Sequence, residues 1–215
     1  MLVLGLTGSI GMGKTVAAAM FARAGAVVFD ADAAVHALLA PGGAAVAAVA
    51  EAFPDCVIED ADRLAIDRAA LGRRVFDDGT AMARLEAILH PRVRAAELDF
   101  IKRARARRRP LVVLDIPLLL ETGGERICDA VAVVIAPPFV QARRVLARPG
   151  MTPARLAAIR ARQMPDREKI RRADFVIPTG LGRAVTLRHV RAIVRILAER
   201  GETRARRPRP RSLGP

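Results

Sequence analysis

Short apolar segments alternate along this chain with longer segments in which apolar residues recur with a helical period. Several of the short segments are apolar at every position, which is typical of strands in a parallel sheet buried on both faces. The alternation predicts an α/β fold in which helices flank a parallel sheet of five strands. The strand candidates are residues 2–6, 26–29, 111–114, 130–135 and 175–177.

The longest gap between predicted strands follows residue 29, and most of it has a helical pattern. About eighty residues are far more than a single crossover needs, so we expect a helical insertion over residues 40–108. Because the residue before a proline disfavours helical geometry, His90-Pro91 by itself indicates a helix boundary. The predicted helices of the insertion are residues 44–53, 68–76, 82–89 and 92–108.

A second helical excursion lies between the fourth and fifth strands, at residues 139–170, with predicted helices at 139–147 and 153–164. A helix over residues 183–200 closes a single domain that we expect to span residues 1–202. The remaining residues, 203–215, are rich in arginine and proline, and this composition predicts a disordered basic tail.

The 215 residues carry a net charge of +14, but the pattern of that charge argues against a nucleic-acid-binding protein. Of the 36 basic residues, 33 are arginines spread over the whole chain. Proteins that bind single strands interleave basic residues with aromatic side chains for stacking, whereas this sequence has no Trp or Tyr. A solvated basic surface is therefore the favoured interpretation, with two denser arginine clusters at residues 103–109 and 204–211.

The apolar segments also bear on the compartment. None reaches the roughly 18 residues that a membrane span needs, and no basic stretch precedes the first one as in a signal peptide. Cys56 and Cys128 lie far apart, without the spacing of a disulfide framework or a zinc site. We therefore expect no membrane association and a reducing, cytoplasmic location. The sequence leaves the oligomeric state open.

A glycine-rich segment that matches GxxxxGK[ST] comes directly after the first predicted strand. Glycines let the backbone wrap with its N–H groups facing inward, and the helix that follows adds positive potential at its N-terminus. Lys14 can reach the terminal phosphates of a nucleotide, and the Thr15 hydroxyl can bind magnesium. The order strand, loop, helix predicts binding of a nucleoside triphosphate rather than a glycine-rich turn with an incidental lysine. This phosphate loop consists of Gly8, Ser9, Ile10, Gly11, Met12, Gly13, Lys14 and Thr15, and Val16 follows it.

Carboxylates follow two predicted strands, at the edge where parallel sheets collect functional groups. A lone Asp after the second strand would be an ordinary helix N-cap. Because two stand there, one of them can orient or deprotonate an acceptor hydroxyl, or hold magnesium through water. We expect Asp32 to perform the chemistry and Asp30 to support it. Asp115 ends the third strand, where it either lies near the magnesium or satisfies a loop.

Two arginines follow the fourth strand. Arg144 and Arg148 are four residues apart, which predicts that they share one helical face. Arginines on a mobile excursion can close over a transferring phosphate and stabilise its charge. In a chain with 33 arginines this spacing alone carries little weight.

The motifs taken together resemble those of the dephospho-CoA kinases, and the resemblance extends over nearly the whole chain to about residue 200. The order and spacing of the matching residues make it specific, although no single match after the phosphate loop is decisive. The matching residues are 5–15, Asp30-Ala31-Asp32, Ile66-Asp67-Arg68, Leu71, Val75-Phe76, Leu89-His90-Pro91, Pro117-Leu118-Leu119, Glu121, Gln141, Arg144, Arg148, Gln163, Ala173-Asp174 and Val176-Ile177.

The resemblance implies a P-loop kinase that transfers the γ-phosphate of ATP, with Mg²⁺, to the ribose 3′-hydroxyl of dephospho-CoA. It implies that Asp32 is the catalytic carboxylate and that Lys14 and the loop amides hold the phosphates. Residues 139–170 would form a small lid that contributes Arg144, and the helical insertion would be the CoA-binding subdomain. On the nucleotide side the family pattern adds Val16, Arg148 and Thr179, and on the acceptor side Arg68, His90, Pro91, Pro117 and Leu118.

Three positions of this chain depart from the family pattern. Pro54, Leu120 and Thr179 stand where relatives usually have Gly, Phe and Asn, so adenine contacts near Thr179 are expected to differ.

Two other functions compete with that of a dephospho-CoA kinase. One is another small-molecule kinase, such as a nucleoside monophosphate kinase. The Asp-Ala-Asp segment argues against it, because a phosphate acceptor needs cations. The other is a nucleic-acid-binding P-loop protein, which predicts binding to polynucleotide that weakens steeply with salt.

Overall fold

The computed structural model describes residues 1–60, 63–76 and 78–206, and within them a five-stranded parallel sheet carries the phosphate loop. The spatial order of its strands is β2-β5-β1-β6-β7. The α/β fold class predicted from the sequence is confirmed, and each predicted strand is present within one or two residues. The strands are β1 Leu2–Thr7, β2 Val27–Asp30, β3 Val57–Asp60, β4 Arg63–Ile66, β5 Leu111–Asp115, β6 Ala130–Ile135 and β7 Phe175–Pro178.

The helices are α1 Lys14–Arg23, α2 Ala31–Leu39, α3 Val46–Ala52, α4 Arg68–Phe76, α5 Gly79–Ala106, α6 Pro138–Leu146, α7 Pro153–Arg162, α8 Asp166–Arg172 and α9 Arg183–Arg206. Single turns of 3-10 helix are present at Pro54–Cys56 and Gly124–Ile127. The chain forms two compact units. One contains Met1–Phe29 and the chain from Arg103 onward, and the other is Asp30–Lys102.

Strand β1 is the centre of the sheet in the first unit. It pairs in parallel with β5, where Leu2 lies opposite Leu111, and with β6, where Leu4 lies opposite Ala130. All six residues of β1 are buried, as the continuous apolar pattern predicts for a strand covered on both faces. Phe21 of α1 and Val190 of α9 are fully buried in the same apolar core. The strand that leads into the phosphate loop is thus held by hydrogen bonds on both sides and by helices.

In the second unit the structure corrects the expectation of an almost wholly helical insertion. Strands β3 and β4 form an antiparallel hairpin in which Val57 lies opposite Ile66. Four-residue strands are too short for a period of two to stand out against the surrounding helical pattern. The hairpin forms because Cys56, just before β3, and Ile66, at the end of β4, are both buried in the apolar cluster of this unit. The same cluster contains Leu71 and Leu85.

The predicted helix boundary at His90-Pro91 is wrong, because α5 continues through Pro91 from Gly79 to Ala106. Proline removes one hydrogen bond of a helix and crowds the preceding turn. The side chain of Arg92 adds two other hydrogen bonds: Nη1 donates to Ile88 O in the preceding turn at 2.7 Å, and Nε donates to Ala44 O, before α3, at 3.2 Å. Packing of Leu85 and Leu89 in the apolar cluster further holds the helix together.

The second excursion also differs in detail from its prediction. Helix α7 ends at Arg162, and a separate helix, α8, follows after Pro165. Helix α9 runs to Arg206, six residues beyond its predicted end. Most of the predicted tail, residues 207–215, lies outside the described residues. No helix in the described part of the chain is long and apolar enough to span a membrane.

Candidate phosphate-binding site

The phosphate loop leaves β1 and turns into α1 with several of its amides unused. The N–H groups of Gly11, Gly13, Lys14 and Thr15 make no hydrogen bond to another described residue. The neighbouring amides are used: Met12 N–H donates to Ser9 O at 3.1 Å and Ile10 N–H to Gln163 Oε1 at 3.1 Å. Four unused donors at the start of a helix form an anion site of the kind that holds polyphosphate.

Gly11 and Gly13 are required by the backbone at their positions. Their φ angles are +74° and +90°, in the left-handed region that other residues rarely adopt. A Cβ atom on Gly11 would also lie 2.5 Å from Val145 Cγ2, and one on Gly13 would lie 3.0 Å from Thr179 Oγ1. The loop therefore lies directly against α6 and the residue that follows β7.

Lys14, the first residue of α1, forms an ion pair with Asp115 at the end of β5. Lys14 Nζ lies 2.5 Å from Asp115 Oδ1, and the two side chains are 14% and 5% exposed. Asp115 thus lies beside the phosphate loop and pairs with one of its side chains, and its position near a magnesium ion stays a prediction. The ion pair holds the ammonium group at the loop in the absence of nucleotide.

Three side chains contact the phosphate loop through its carbonyl oxygens. Gln141 Nε2 donates to Ile10 O at 2.8 Å, and Arg144 Nη1 donates to Gly11 O at 3.3 Å. Thr179 Oγ1 donates to Met12 O at 2.5 Å. Arg144 also donates to Thr179, from Nη1 to Oγ1 at 3.0 Å and from Nη2 to the carbonyl oxygen at 2.7 Å. We call Gln141, Arg144 and Thr179 the outer donors.

The segment that begins after α7 also contacts the loop. In addition to the Gln163 contact with Ile10, Ser9 Oγ donates to Asp166 Oδ1 at 2.5 Å. The segment is fixed further along by Glu121, whose Oε1 accepts from Met164 N–H at 2.9 Å. Lys169 Nζ lies 2.8 Å from the same oxygen, in an ion pair that lacks the alignment of a hydrogen bond.

We expect Lys169→Met to lower the free energy of unfolding by about 3 kcal/mol, because Lys169 is fully buried and the change leaves a largely buried Glu121 without its ammonium. Chemical denaturation monitored by circular dichroism measures the difference. Lys102→Met is the matched control, because Lys102 is exposed on α5. An unfolding midpoint equal to that of the control would show that the pair adds no stability.

The predicted acceptor-side residues after β2 are at the start of the second unit. Asp30 is the N-cap of α2 and accepts from Ala33 N–H at 3.0 Å, so its side chain has the structural role that a lone Asp would have. Asp32 lies in the first turn of α2 and is exposed, with no hydrogen bond or ion pair within the described part of the chain. Its carboxylate is therefore available to a ligand.

The other acceptor-side candidates of this unit are also exposed. Arg68 is the first residue of α4, and His90 and Pro91 lie in the middle of α5. Asp67 caps α4: its Oδ1 accepts from Ala70 N–H at 3.1 Å and from Ala69 N–H at 2.9 Å. These two hydrogen bonds, that of Ala70 foremost, lower the pKa of Asp67. The cap fixes where α4 begins and hence where Arg68 is placed.

The expectation that Arg144 and Arg148 share a helical face is wrong. Helix α6 ends at Leu146, and Arg148 follows the helix cap in an exposed position. The reason is local, because Pro149 disfavours helical geometry at the residue before it.

The predicted acceptor-side residues Pro117 and Leu118 lie in the loop after β5. Pro117 O accepts from Thr7 Oγ1 at 2.8 Å, and Leu118 O accepts from the backbone and side chain of Thr122. These bonds fix the backbone of the loop after β5.

The described residues contain no group of three His, Cys, Asp or Glu side chains that could hold a metal ion. A magnesium ion that binds together with a nucleotide needs few protein ligands, because phosphate oxygens and water complete its coordination. The hydroxyl of Thr15 is exposed at the start of α1 and makes no hydrogen bond to another described residue. Thr15 therefore fits such an ion.

The sequence did not assign a role to Asp166, which bonds to Ser9 of the loop from 157 residues away in the chain, or to Lys169, which pairs with Glu121. One signal was present for Lys169. It is one of only three lysines in a chain that otherwise uses arginine, and another of the three is Lys14. A position that keeps lysine in such a background is a candidate for a specific contact.

Comparison with known proteins agrees with this geometry. The family model described as dephospho-CoA kinase matches residues 2–181. The dephospho-CoA kinase of Rhodospirillum rubrum is 55% identical over 96% of both chains, and that of Paramagnetospirillum magneticum is 64% identical over 79% of this chain and 78% of its own. The solved structure of TT1252 from Thermus thermophilus has a TM-score of 0.75 at 36% identity and covers 92% of this chain and 97% of its own.

Two further solved structures share the fold at lower identity. The dephospho-CoA kinase of Campylobacter jejuni has a TM-score of 0.63 at 22% identity and covers 92% of this chain and 97% of its own. A shikimate kinase from Acinetobacter baumannii has a TM-score of 0.50 at 16% identity, with 93% and 94% coverage. The match over most of the chain, together with the phosphate loop, shows that this chain belongs to the dephospho-CoA kinase family.

Proposed function

We propose that this protein transfers the γ-phosphate of ATP to the ribose 3′-hydroxyl of dephospho-CoA and so forms coenzyme A. The observation that carries the proposal is the set of four unused loop amides beside Lys14, in a chain of the dephospho-CoA kinase family. The amides and the ammonium group together match a polyphosphate. The reaction follows from the family to which the chain belongs.

In the proposed reaction Asp32 accepts the proton of the 3′-hydroxyl as that oxygen forms its bond to the γ-phosphorus. The bond between the γ-phosphorus and the oxygen that bridges to the β-phosphate breaks, and ADP leaves. The residues contribute mainly by position and charge, because phosphoryl transfer requires little covalent chemistry from a protein. Asp32 suits this role because its carboxylate is exposed and not engaged with other described residues.

On the ATP side, Lys14 and the loop amides would neutralise the charge of the β- and γ-phosphates. Arg144 would add positive charge from its position against Gly11 and Thr179. Thr15 would hold Mg²⁺, which supplies charge neutralisation between the phosphates. Val16, Arg148 and Thr179 complete the proposed nucleotide side.

On the acceptor side we propose that Arg68, His90 and Pro91 bind dephospho-CoA together with Asp32, and that Pro117 and Leu118 contribute from the loop after β5. All four residues of the second unit are exposed. Residues 139–170 would act as a lid that excludes water, so that ATP is not hydrolysed. We propose that the enzyme works in the cytoplasm, without a membrane or nucleic-acid partner.

The test is ADP release by the purified protein with ATP and Mg²⁺, in parallel with dephospho-CoA, with nucleoside monophosphates and with RNA. We expect stimulation by dephospho-CoA alone, with coenzyme A identified by mass spectrometry. Stimulation by a monophosphate with formation of a diphosphate would instead support the competing small-molecule kinase. Stimulation by RNA would support the nucleic-acid-binding protein, and either result would overturn the proposal.

A further inference from the structure

The backbone of the phosphate loop has a definite orientation that its own sequence does not enforce. A peptide unit is planar and trans, so the carbonyl of one residue and the N–H of the next point in opposite directions. Three of the eight loop residues are glycines, and peptide units next to glycine can rotate at low cost. If a unit turned over, a carbonyl oxygen would face the polyphosphate where an N–H is needed, and its dipole would repel the anion.

Three consecutive carbonyl oxygens of the loop are bonded by the outer donors. Ile10 O accepts from Gln141, Gly11 O from Arg144 and Met12 O from Thr179. The N–H groups in the same three peptide units belong to Gly11, Met12 and Gly13, and they must point the opposite way. The amides of Gly11 and Gly13 are two of the four that make no hydrogen bond to a described residue, and that of Met12 bonds within the loop to Ser9 O.

From this arrangement we infer that Gln141, Arg144 and Thr179 are positioning residues, which hold the loop carbonyls outward and so turn the phosphate-binding amides toward the ligand. The inference rests on the proposed use of the loop for ATP. The outer donors act through the backbone, whereas the family resemblance places Arg144 and Thr179 in contact with the nucleotide.

The burial and the hydrogen bonds of Gln141 and Thr179 fit the role of positioning residues. Gln141 is 1% exposed and Thr179 is 7% exposed. A hydroxyl has one proton, and the nearest acceptor for that of Thr179 is Met12 O at 2.5 Å, with Ile135 O farther away at 3.2 Å. A lone pair of the same oxygen accepts a hydrogen bond from Arg144 Nη1. The Thr179 hydroxyl is therefore already engaged by the protein before a nucleotide binds.

The decisive variant is Thr179→Val, which keeps the shape of the side chain and removes the hydroxyl. We expect it to weaken binding of both ATP and inorganic tripolyphosphate by about tenfold, measured by calorimetry with Mg²⁺. Thr179→Ser retains the hydroxyl and is expected to restore most of the affinity. If Thr179 instead contacts the base, Thr179→Val will weaken ATP binding and leave tripolyphosphate binding unchanged, which would overturn the inference.

Thr186→Val is the matched control for stability. Thr186 is 1% exposed, and its hydroxyl bonds to Pro178 O at 3.0 Å and Gly182 O at 3.3 Å rather than to a residue of the phosphate loop. We expect both valine variants to lose similar thermal stability, but only Thr179→Val to lose affinity. Equal affinity losses in the two would show a general structural effect and overturn the inference.

Gln141→Met is a second variant that tests the same inference even if Thr179→Val does not fold. It is expected to weaken ATP and tripolyphosphate binding in the same way, and in turnover assays to raise the KM for ATP while the KM for dephospho-CoA stays constant. Wild-type affinity for both ligands would contradict the inference. Because the binding measurements use no acceptor, they decide this point even if the protein fails to produce coenzyme A, a failure that would overturn only the proposed reaction.

Discussion

A Lys14→Met variant is expected to lose roughly a thousandfold in kcat, by the magnitude typical of removing one preorganised group that stabilises transition-state charge. Methionine keeps most of the length of the side chain but removes its charge. In addition, the variant has no ammonium group to offset the charge of Asp115, whose carboxylate lies 2.5 Å from Lys14 Nζ in the native protein. The variant therefore presents the phosphates with one positive charge fewer and with a negative charge that is less compensated.

Steady-state formation of coenzyme A measures this loss, and calorimetric titration with ATP shows how much of it is lost binding. Lys102→Met is the control, since it removes an exposed lysine far along α5 and is expected to keep wild-type turnover. A kcat for Lys14→Met within tenfold of wild type would mean that the phosphate loop does not serve the reaction that we propose.

The second large effect is expected for Asp32→Asn, which should lower kcat by a factor of about 10² to 10⁴, the usual contribution of a general base. The amide has nearly the same shape as the carboxylate but cannot accept the proton of the 3′-hydroxyl. Affinity for ATP should remain close to wild type, because Asp32 belongs to the acceptor side.

Asp30→Asn is a matched substitution two residues away. Asparagine caps helices as well as aspartate does, so the bond to Ala33 N–H is kept and turnover should fall much less. Rapid-quench measurement of the first turnover compares the chemical step in both variants. Near-normal turnover of Asp32→Asn, or an equal loss in Asp30→Asn, would contradict the role assigned to Asp32.

The parts of this structure that depend on contiguous residues could be predicted from the sequence. The phosphate loop is one run of eight residues, so its glycines and lysine identify it and place it after β1 without any knowledge of distant residues. Strands β1, β5 and β6 of the main sheet could be located because burial on both faces leaves an uninterrupted apolar run. Helix α4 was predicted with its observed bounds, because Asp67 caps it and the apolar positions of Leu71 and Val75 fit its period.

Features that depend on distant residues could not be predicted in this way. The outer donor Gln141 is 131 residues from Ile10 in the chain, and Thr179 is 167 from Met12. Nothing local distinguishes a glutamine that supports a loop from one that faces solvent. The continuation of α5 through Pro91 was missed for a related reason, since the packing of Leu85 and Leu89 and the bond of Arg92 to Ala44 O involve distant residues.

The order of pairing in the main sheet also has a consequence for how the protein is made. Strand β1 is synthesised first, but both of its neighbours, β5 and β6, follow the whole Asp30–Lys102 unit in the chain. That unit is continuous in sequence and has its own apolar core, so on the ribosome it can fold early, as N-terminal domains do. The segment that contains the phosphate loop must wait unpaired until β5 and β6 emerge, because contacts between distant segments form late. During synthesis, chaperones would therefore meet an exposed β1 of six apolar or uncharged residues, and nucleotide binding would become possible only near the end of translation.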